Sequence, residues 1–160
     1  MFIYTDGDPI KNAQQVLRLY PPSVHAVSLS TVGEILAYEV GTYNNQEEII
    51  DAGPSIVEIN DHSKKYIDPN QPSKSVITIG SGTTLSSNIL LILAFDVQKA
   101  NIVKRLYNGP ITAGIPATLL KYHPNTYIIT TSKVAKEARI RDDQITALSP
   151  HEAANWVISY

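Results

Sequence analysis

The stretch Ile89-Leu90-Leu91-Ile92-Leu93-Ala94-Phe95 decides how this chain folds. An unbroken apolar run with no polar residue at either parity describes a strand covered on both faces, as in a parallel sheet buried between helices. It is far too short to span a bilayer as a helix. Just upstream, Ser75-Val76-Ile77-Thr78-Ile79-Gly80 reads as a second strand, ending in glycine, and the two together are expected at the centre of the fold. Just downstream, Asp96 is placed to cap a helix carrying Ala100, Val103, Leu106 and Tyr107, which Asn108-Gly109-Pro110 stops.

The flanking elements extend the same alternation. Asp8-Pro9 is an N-cap followed by proline in the first turn, and Ile10, Ala13, Val16, Leu17 and Tyr20 recur at helical spacing until Pro21-Pro22 blocks continuation. Strands are expected at Phe2-Ile3-Tyr4, Val24 to Leu29, Ser55 to Ile59 and Thr126 to Thr131. The polar stretch from Thr42 to Pro54 reads as a loop with a helical turn at Gln46 to Asp51. Short helices are expected at Pro116 to Tyr122, from Ser132 to Ala138, and from Pro150 to Val157. Strand, helix and strand in repeated order predict an α/β fold: one domain over residues 1–160, with a mainly parallel Rossmann-like sheet and helices on both faces.

Composition narrows the chemistry. With 160 residues, 43% hydrophobic and 18% charged, the chain can bury one core without staples. It has no cysteine, which removes disulfides, a thiolate nucleophile and cysteine-ligated metals, and favours a cytoplasmic setting. The first residues lack the basic and apolar regions of a signal peptide. A net charge of −2 with dispersed Lys and Arg gives no stripe for a phosphate backbone, so neither nucleic acid nor membrane is expected as a partner. His25, His62, His123 and His151 form no paired metal motif, and no metal or cofactor is expected.

Two features could carry a ligand. Gly80-Ser81-Gly82-Thr83-Thr84 follows a strand and could cradle an anion, although it lacks the ending of a P-loop and the third glycine of a dinucleotide fingerprint. A tight turn between two buried strands explains it equally well. Lys99 lies one turn beyond the buried strand, near the carboxyl edge where α/β sheets bind ligands, and can either neutralise a phosphate or be solvated there. Glu34 and Glu39 are not spaced to share a helical face, and Ser30 and Ser81 have no sequence-local base.

Ile77-Thr78-Ile79-Gly80, Gly82-Thr83, the long apolar strand and Gln98-Lys99-Ala100, followed by Asn108-Gly109-Pro110-Ile111-Thr112, Ile115-Pro116-Ala117-Thr118-Leu119-Leu120 and His123-Pro124-Asn125, form a specific series. It resembles the glucosamine-6-phosphate isomerase/deaminase family, which is related to the 6-phosphogluconolactonases. Upstream, Val57 to Lys64 is similar to the family segment with a strand, an acidic turn and a phosphate-binding arginine, with Lys64 in the arginine's place. Val32-Gly33-Glu34-Ile35-Leu36-Ala37-Tyr38-Glu39-Val40 is similar in register to the family's catalytic Asp-Gly-His-Ile-Ala-Phe-Asn-Glu-Pro, with Gly33, Ile35 and Glu39 matching.

In that family the histidine assists sugar-ring opening, the glutamate orients it, and an acid elsewhere moves the C2 proton. The resemblance therefore assigns Glu34 and Glu39 to the catalytic positions, with Val32 in place of the aspartate. It assigns Lys99, Lys64, Gly80, Gly82 and Thr83 to sugar-phosphate contact. An ordinary glutamate is ionised at neutral pH and does not stand in for a proton-shuttling histidine, and lysine replaces a bidentate guanidinium with a point charge. The family's first strands, its phosphate loop and its proton-transfer aspartate would precede Met1, so the sheet is expected to be truncated on its N-terminal side, and an uncovered edge predicts a homo-oligomer. Three readings follow: a sugar-phosphate-binding pseudoenzyme of amino-sugar metabolism, an active deaminase or related isomerase or lactonase (a hydrolase), or a non-catalytic interaction or effector-sensing module.

Overall fold

The computed structural model describes residues 7–38, 45–58, 75–146 and 152. Asp8 opens the first helix, its Oδ1 accepting from the backbone N–H of Ile10 at 2.9 Å, and α1 runs over Pro9–Leu19 with Ala13, Val16 and Leu17 half-buried. β1 (Val24–Ser28) follows Pro21-Pro22. Next come α2 (Gln46–Ile50), β2 (Ser55–Glu58), β3 (Ser75–Thr78), α3 (Ser81–Leu85) and β4 (Ile89–Ala94). A 3-10 turn at Val97–Lys99 leads into α4 (Ala100–Asn108), and a longer 3-10 segment, Pro116–Tyr122, stands where a short helix is expected. β5 (Thr126–Thr130) and α5 (Ser132–Glu137) complete the main elements. The expected strand at Phe2-Ile3-Tyr4 lies outside the described residues, as does nearly all of the helix expected at Pro150 to Val157.

β4 is the middle of a three-stranded parallel sheet in the order β1-β4-β5, in register Val24↔Ile89 on one side and Leu90↔Thr126 on the other. Residues of both parities on β4 are buried, as the apolar run requires, and helices flank the sheet. Leu90, Ile92 and Ala94 pack with Val27 and Leu29 from the β1 segment, with Ile102, Val103 and Leu106 of α4, and with Val134 of α5. Each fully buried Leu or Ile of this cluster contributes about 1.5–3 kcal/mol.

One expectation is corrected. Ser75–Thr78 is not a neighbour of β4, whose two edges are taken by β1 and β5; it pairs antiparallel with β2 in a separate ribbon, Ile56 opposite Ile77. Ile77 is 54% exposed, which a strand at the centre of the sheet could not be. A second cluster of Tyr38, Ile49, Ala113 and Leu119, with Val57 and Ile111 packed against it, ties this ribbon to α2 and the Pro116–Tyr122 segment.

The amino edge of the sheet is fastened by His123. Its Nδ1 accepts from the Asn125 N–H at 3.0 Å, so the ring proton sits on Nε2, which donates to the Ser87 carbonyl at 2.7 Å. The Ser87 hydroxyl lies 2.8 Å from the Thr84 carbonyl and 3.1 Å from that of Ile89. These bonds hold the exit of α3 and the starts of β4 and β5 together. Among the described residues no helix is long and apolar enough to cross a membrane, and no group of His, Cys, Asp and Glu could hold a metal ion.

Candidate functional site

At the carboxyl edge, β1 gives way to a loop that carries Glu34. The ladder extends one bond, Leu29 N–H to Leu93 carbonyl at 3.1 Å, and then Ser30 turns the chain: its Oγ accepts from the Gly33 N–H at 3.1 Å and the Glu34 N–H at 2.8 Å. Gly33 has φ +99°, and a Cβ there would sit 2.5 Å from Ile115 Cγ2 and 2.8 Å from Ile102 Cδ1. Its carbonyl accepts from the Ala117 N–H at 2.9 Å. The loop is thus pressed onto the start of the Pro116–Tyr122 segment.

That segment is itself stapled by one side chain. Thr118 is 1% exposed, and its hydroxyl accepts from the Thr112 N–H at 2.9 Å while lying 2.8 Å from the Ile115 carbonyl and 3.0 Å from that of Thr112. Beyond Glu34 the chain makes a tight turn, the Tyr38 N–H donating to the Ile35 carbonyl at 2.7 Å and the Ile35 N–H returning to Tyr38 at 3.3 Å. Leu36 and Ala37, at φ 50° and 66°, occupy the left-handed region at a cost of about 1–2 kcal/mol each. Burial of Ile35 and Tyr38, each 2% exposed, holds them there.

Lys99 closes the other side. Asp96 caps the 3-10 turn, its Oδ1 accepting from the Gln98 N–H at 2.9 Å, and Lys99 is the last residue of that turn. Its side chain reaches back across the sheet, and Nζ donates to Ser28 Oγ, at the end of β1, at 3.4 Å. Glu34 and Lys99 are therefore both carried at the carboxyl edge of the β1-β4 pair, the side where open parallel sheets bind ligands.

The glycine turn packs against the α2-β2 connection. Gly80 has φ +83°, and a Cβ on it would collide with the backbone carbonyls of Ala52 and Gly53; at Gly82 it would meet the Ile50 carbonyl at 3.0 Å. The Gly82 N–H donates to the Ala52 carbonyl at 2.9 Å. Close passage of the α2-β2 connection accounts for both glycines without a ligand. Through Thr84 and Ser87 this turn is tied to the amino end of β4. Glu39 and Lys64 lie outside the described residues. Ser28 and Thr118, which sequence reading did not single out, shape this edge: Thr118 bonds a residue six positions away with no local pattern, and Ser28 meets Lys99 only in the fold. Ser30 before Gly33 does have a readable signature, the side chain that caps its own turn.

No family model matches the chain. It is 27% identical over 129 residues to glucosamine-6-phosphate deaminase of Streptococcus equi subsp. zooepidemicus, covering 80% of this chain and 54% of that protein. It is 28% identical over 120 residues to glucosamine-6-phosphate deaminase of Oenococcus oeni, covering 74% of this chain and 50% of that one. The chain thus spans about half the length of the curated relatives it matches. Its fold superimposes on a monomeric glucosamine-6-phosphate deaminase with a TM-score of 0.66 at 24% identity, over 79% of this chain and 52% of the other. It superimposes on 6-phosphogluconolactonase of Trypanosoma brucei with a TM-score of 0.59 at 16% identity, over 84% and 56% of the two chains. Over about four-fifths of its sequence the chain is thus similar to glucosamine-6-phosphate deaminases, and it shares the fold of those enzymes and of the 6-phosphogluconolactonases.

Proposed function

We propose that the chain binds a phosphorylated amino sugar at the carboxyl edge of β1 and β4 and turns it over weakly or not at all. The observation that carries this reading is Lys99, in the position matching the family's phosphate lysine, with Nζ directed across the β1-β4 boundary to Ser28. Lys64 is the second cation of the reading, and Gly80, Gly82 and Thr83 are its further phosphate contacts. Weak turnover rests on the motif after β1. Val32 offers no proton acceptor where the resemblance places an aspartate, and Glu34 offers a carboxylate where it places a histidine. Glu39 remains in the glutamate position.

A calorimetric titration with glucosamine 6-phosphate and with glucosamine, repeated on Lys99→Ala, tests the reading. Binding of the phosphorylated sugar alone, lost in the variant, is expected; equal binding by the variant would overturn it. The names of the curated relatives favour a second reading, an active glucosamine-6-phosphate deaminase. An ammonia-release assay separates the two. Turnover that falls on Glu34→Gln would establish the enzyme, whereas binding without ammonia establishes the first reading.

A further inference from the structure

We infer that Ser28 is a second donor of the anion site, acting side by side with Lys99 on one phosphomonoester; this rests on the sugar-phosphate reading above. Ser28 closes β1 on a solvent-facing position, and its neighbours Val27 and Leu29 point into the core. The residue is therefore free of packing duty. A hydroxyl has one proton to give and two lone pairs to accept with. Lys99 Nζ, 3.4 Å away, fills one of the lone pairs. A hydroxyl that accepts from an ammonium keeps its own proton for another partner and is polarised to donate it. The ammonium has three protons, of which Ser28 takes one. The pair thus presents two ammonium N–H groups and one O–H at the same edge, three donors converging on a group with several acceptor oxygens and two negative charges. A neutral sugar hydroxyl matches this donor set poorly. An exposed lysine alone is mobile and strongly hydrated, and its contact with Ser28 restricts where the charge stands. Ser28 is thereby also a positioning residue for Lys99.

The test compares wild type with Ser28→Ala, Ser28→Thr and Lys99→Ala, titrating each with glucosamine 6-phosphate, inorganic phosphate and glucosamine. Ser28→Ala is expected to weaken both phosphate ligands about tenfold while leaving urea stability unchanged, and Ser28→Thr, which keeps the hydroxyl and suits a strand, is expected to bind like wild type. Unchanged phosphate affinity in Ser28→Ala, with loss in Lys99→Ala, would overturn the role of Ser28 and leave the sugar-phosphate reading standing. Equal losses in Ser28→Ala and Ser28→Thr would also overturn it, since the hydroxyl would then not be the active feature. Unchanged affinity in Lys99→Ala, or no binding by wild type, would overturn the sugar-phosphate reading and the inference together.

Discussion

Replacing Thr118 by Val removes one hydroxyl and keeps the shape of the side chain, which makes its cost calculable from the bonds around it. Of the groups Thr118 Oγ1 touches, both carbonyls keep another partner: Thr112 O accepts from the Ile115 N–H at 3.1 Å, and Ile115 O accepts from the Thr118 N–H at 2.9 Å. The Thr112 N–H is the group left without its acceptor, beneath a residue that is 1% exposed. Stranding one such donor costs about 1–3 kcal/mol, so about 2 kcal/mol is expected for Thr118→Val. Thr118→Ser keeps the hydroxyl and loses one methyl, worth about 1 kcal/mol. In urea denaturation with m near 2 kcal/mol/M, the Val variant should shift the midpoint down by about 1 M and the Ser variant by about half that, with m unchanged. A loss below about 0.5 kcal/mol for Val, or a Ser variant less stable than Val, would refute the staple. Because Ala117 and Ile115 hold Gly33 in place, the same variant should also loosen the Glu34 loop, seen as faster amide exchange at residues 33–35.

Gly33→Ala should cost about 3 kcal/mol by combining a left-handed backbone with overpacking against Ile115 and Ile102, and Ile102→Val, which removes the Cδ1 atom in the way, should recover part of that in the double variant. Arg139 sits at φ 58° just past α5, with the Ile140 N–H bonded to the Ala135 carbonyl at 3.0 Å, so Arg139→Gly should raise stability by about 0.5–1 kcal/mol in thermal unfolding. Burial lowers the pKa of His25 below its ordinary 6.5, and the unfolded chain therefore binds more protons on the acid side. Stability should fall as pH drops from above 6.5 through the lowered folded value and level off below it, and His25→Gln should remove that component from urea midpoints measured between pH 8 and 5.

The elements most readable in the sequence were those whose signal is local. The apolar run at Ile89 to Ala94 announced a doubly covered strand, and Asp8 and Asp96 cap the helix and the turn that follow them. What failed to show was partnership. Ser75–Thr78 has the composition of a central strand, yet β4 had no free edge to offer it, and nothing in four residues says which edge is free. Gly80 and Gly82 look alike whether a phosphate or a carbonyl passes close by; here the carbonyls of residues 50–53 do. The place of Lys99 at the carboxyl edge was legible from the buried strand before it, whereas its contact with Ser28 depended on two distant segments.

The register of the parallel sheet also sets the order of assembly. Leu90 meets Thr126 across one crossover, but Val24 must wait for Ile89, and the α2 helix and the β2-β3 ribbon are formed from the chain between them. Loop closure disfavours the longer connection, so β4 and β5, with α4 between them, form the natural nucleus and β1 docks late. On the ribosome β1 emerges well before its partner, and for that interval its backbone and the apolar Val24, Val27 and Leu29 are open to any passing strand. The same pairing that brings Ser28 under Lys99 is therefore expected to be the last of this sheet to close.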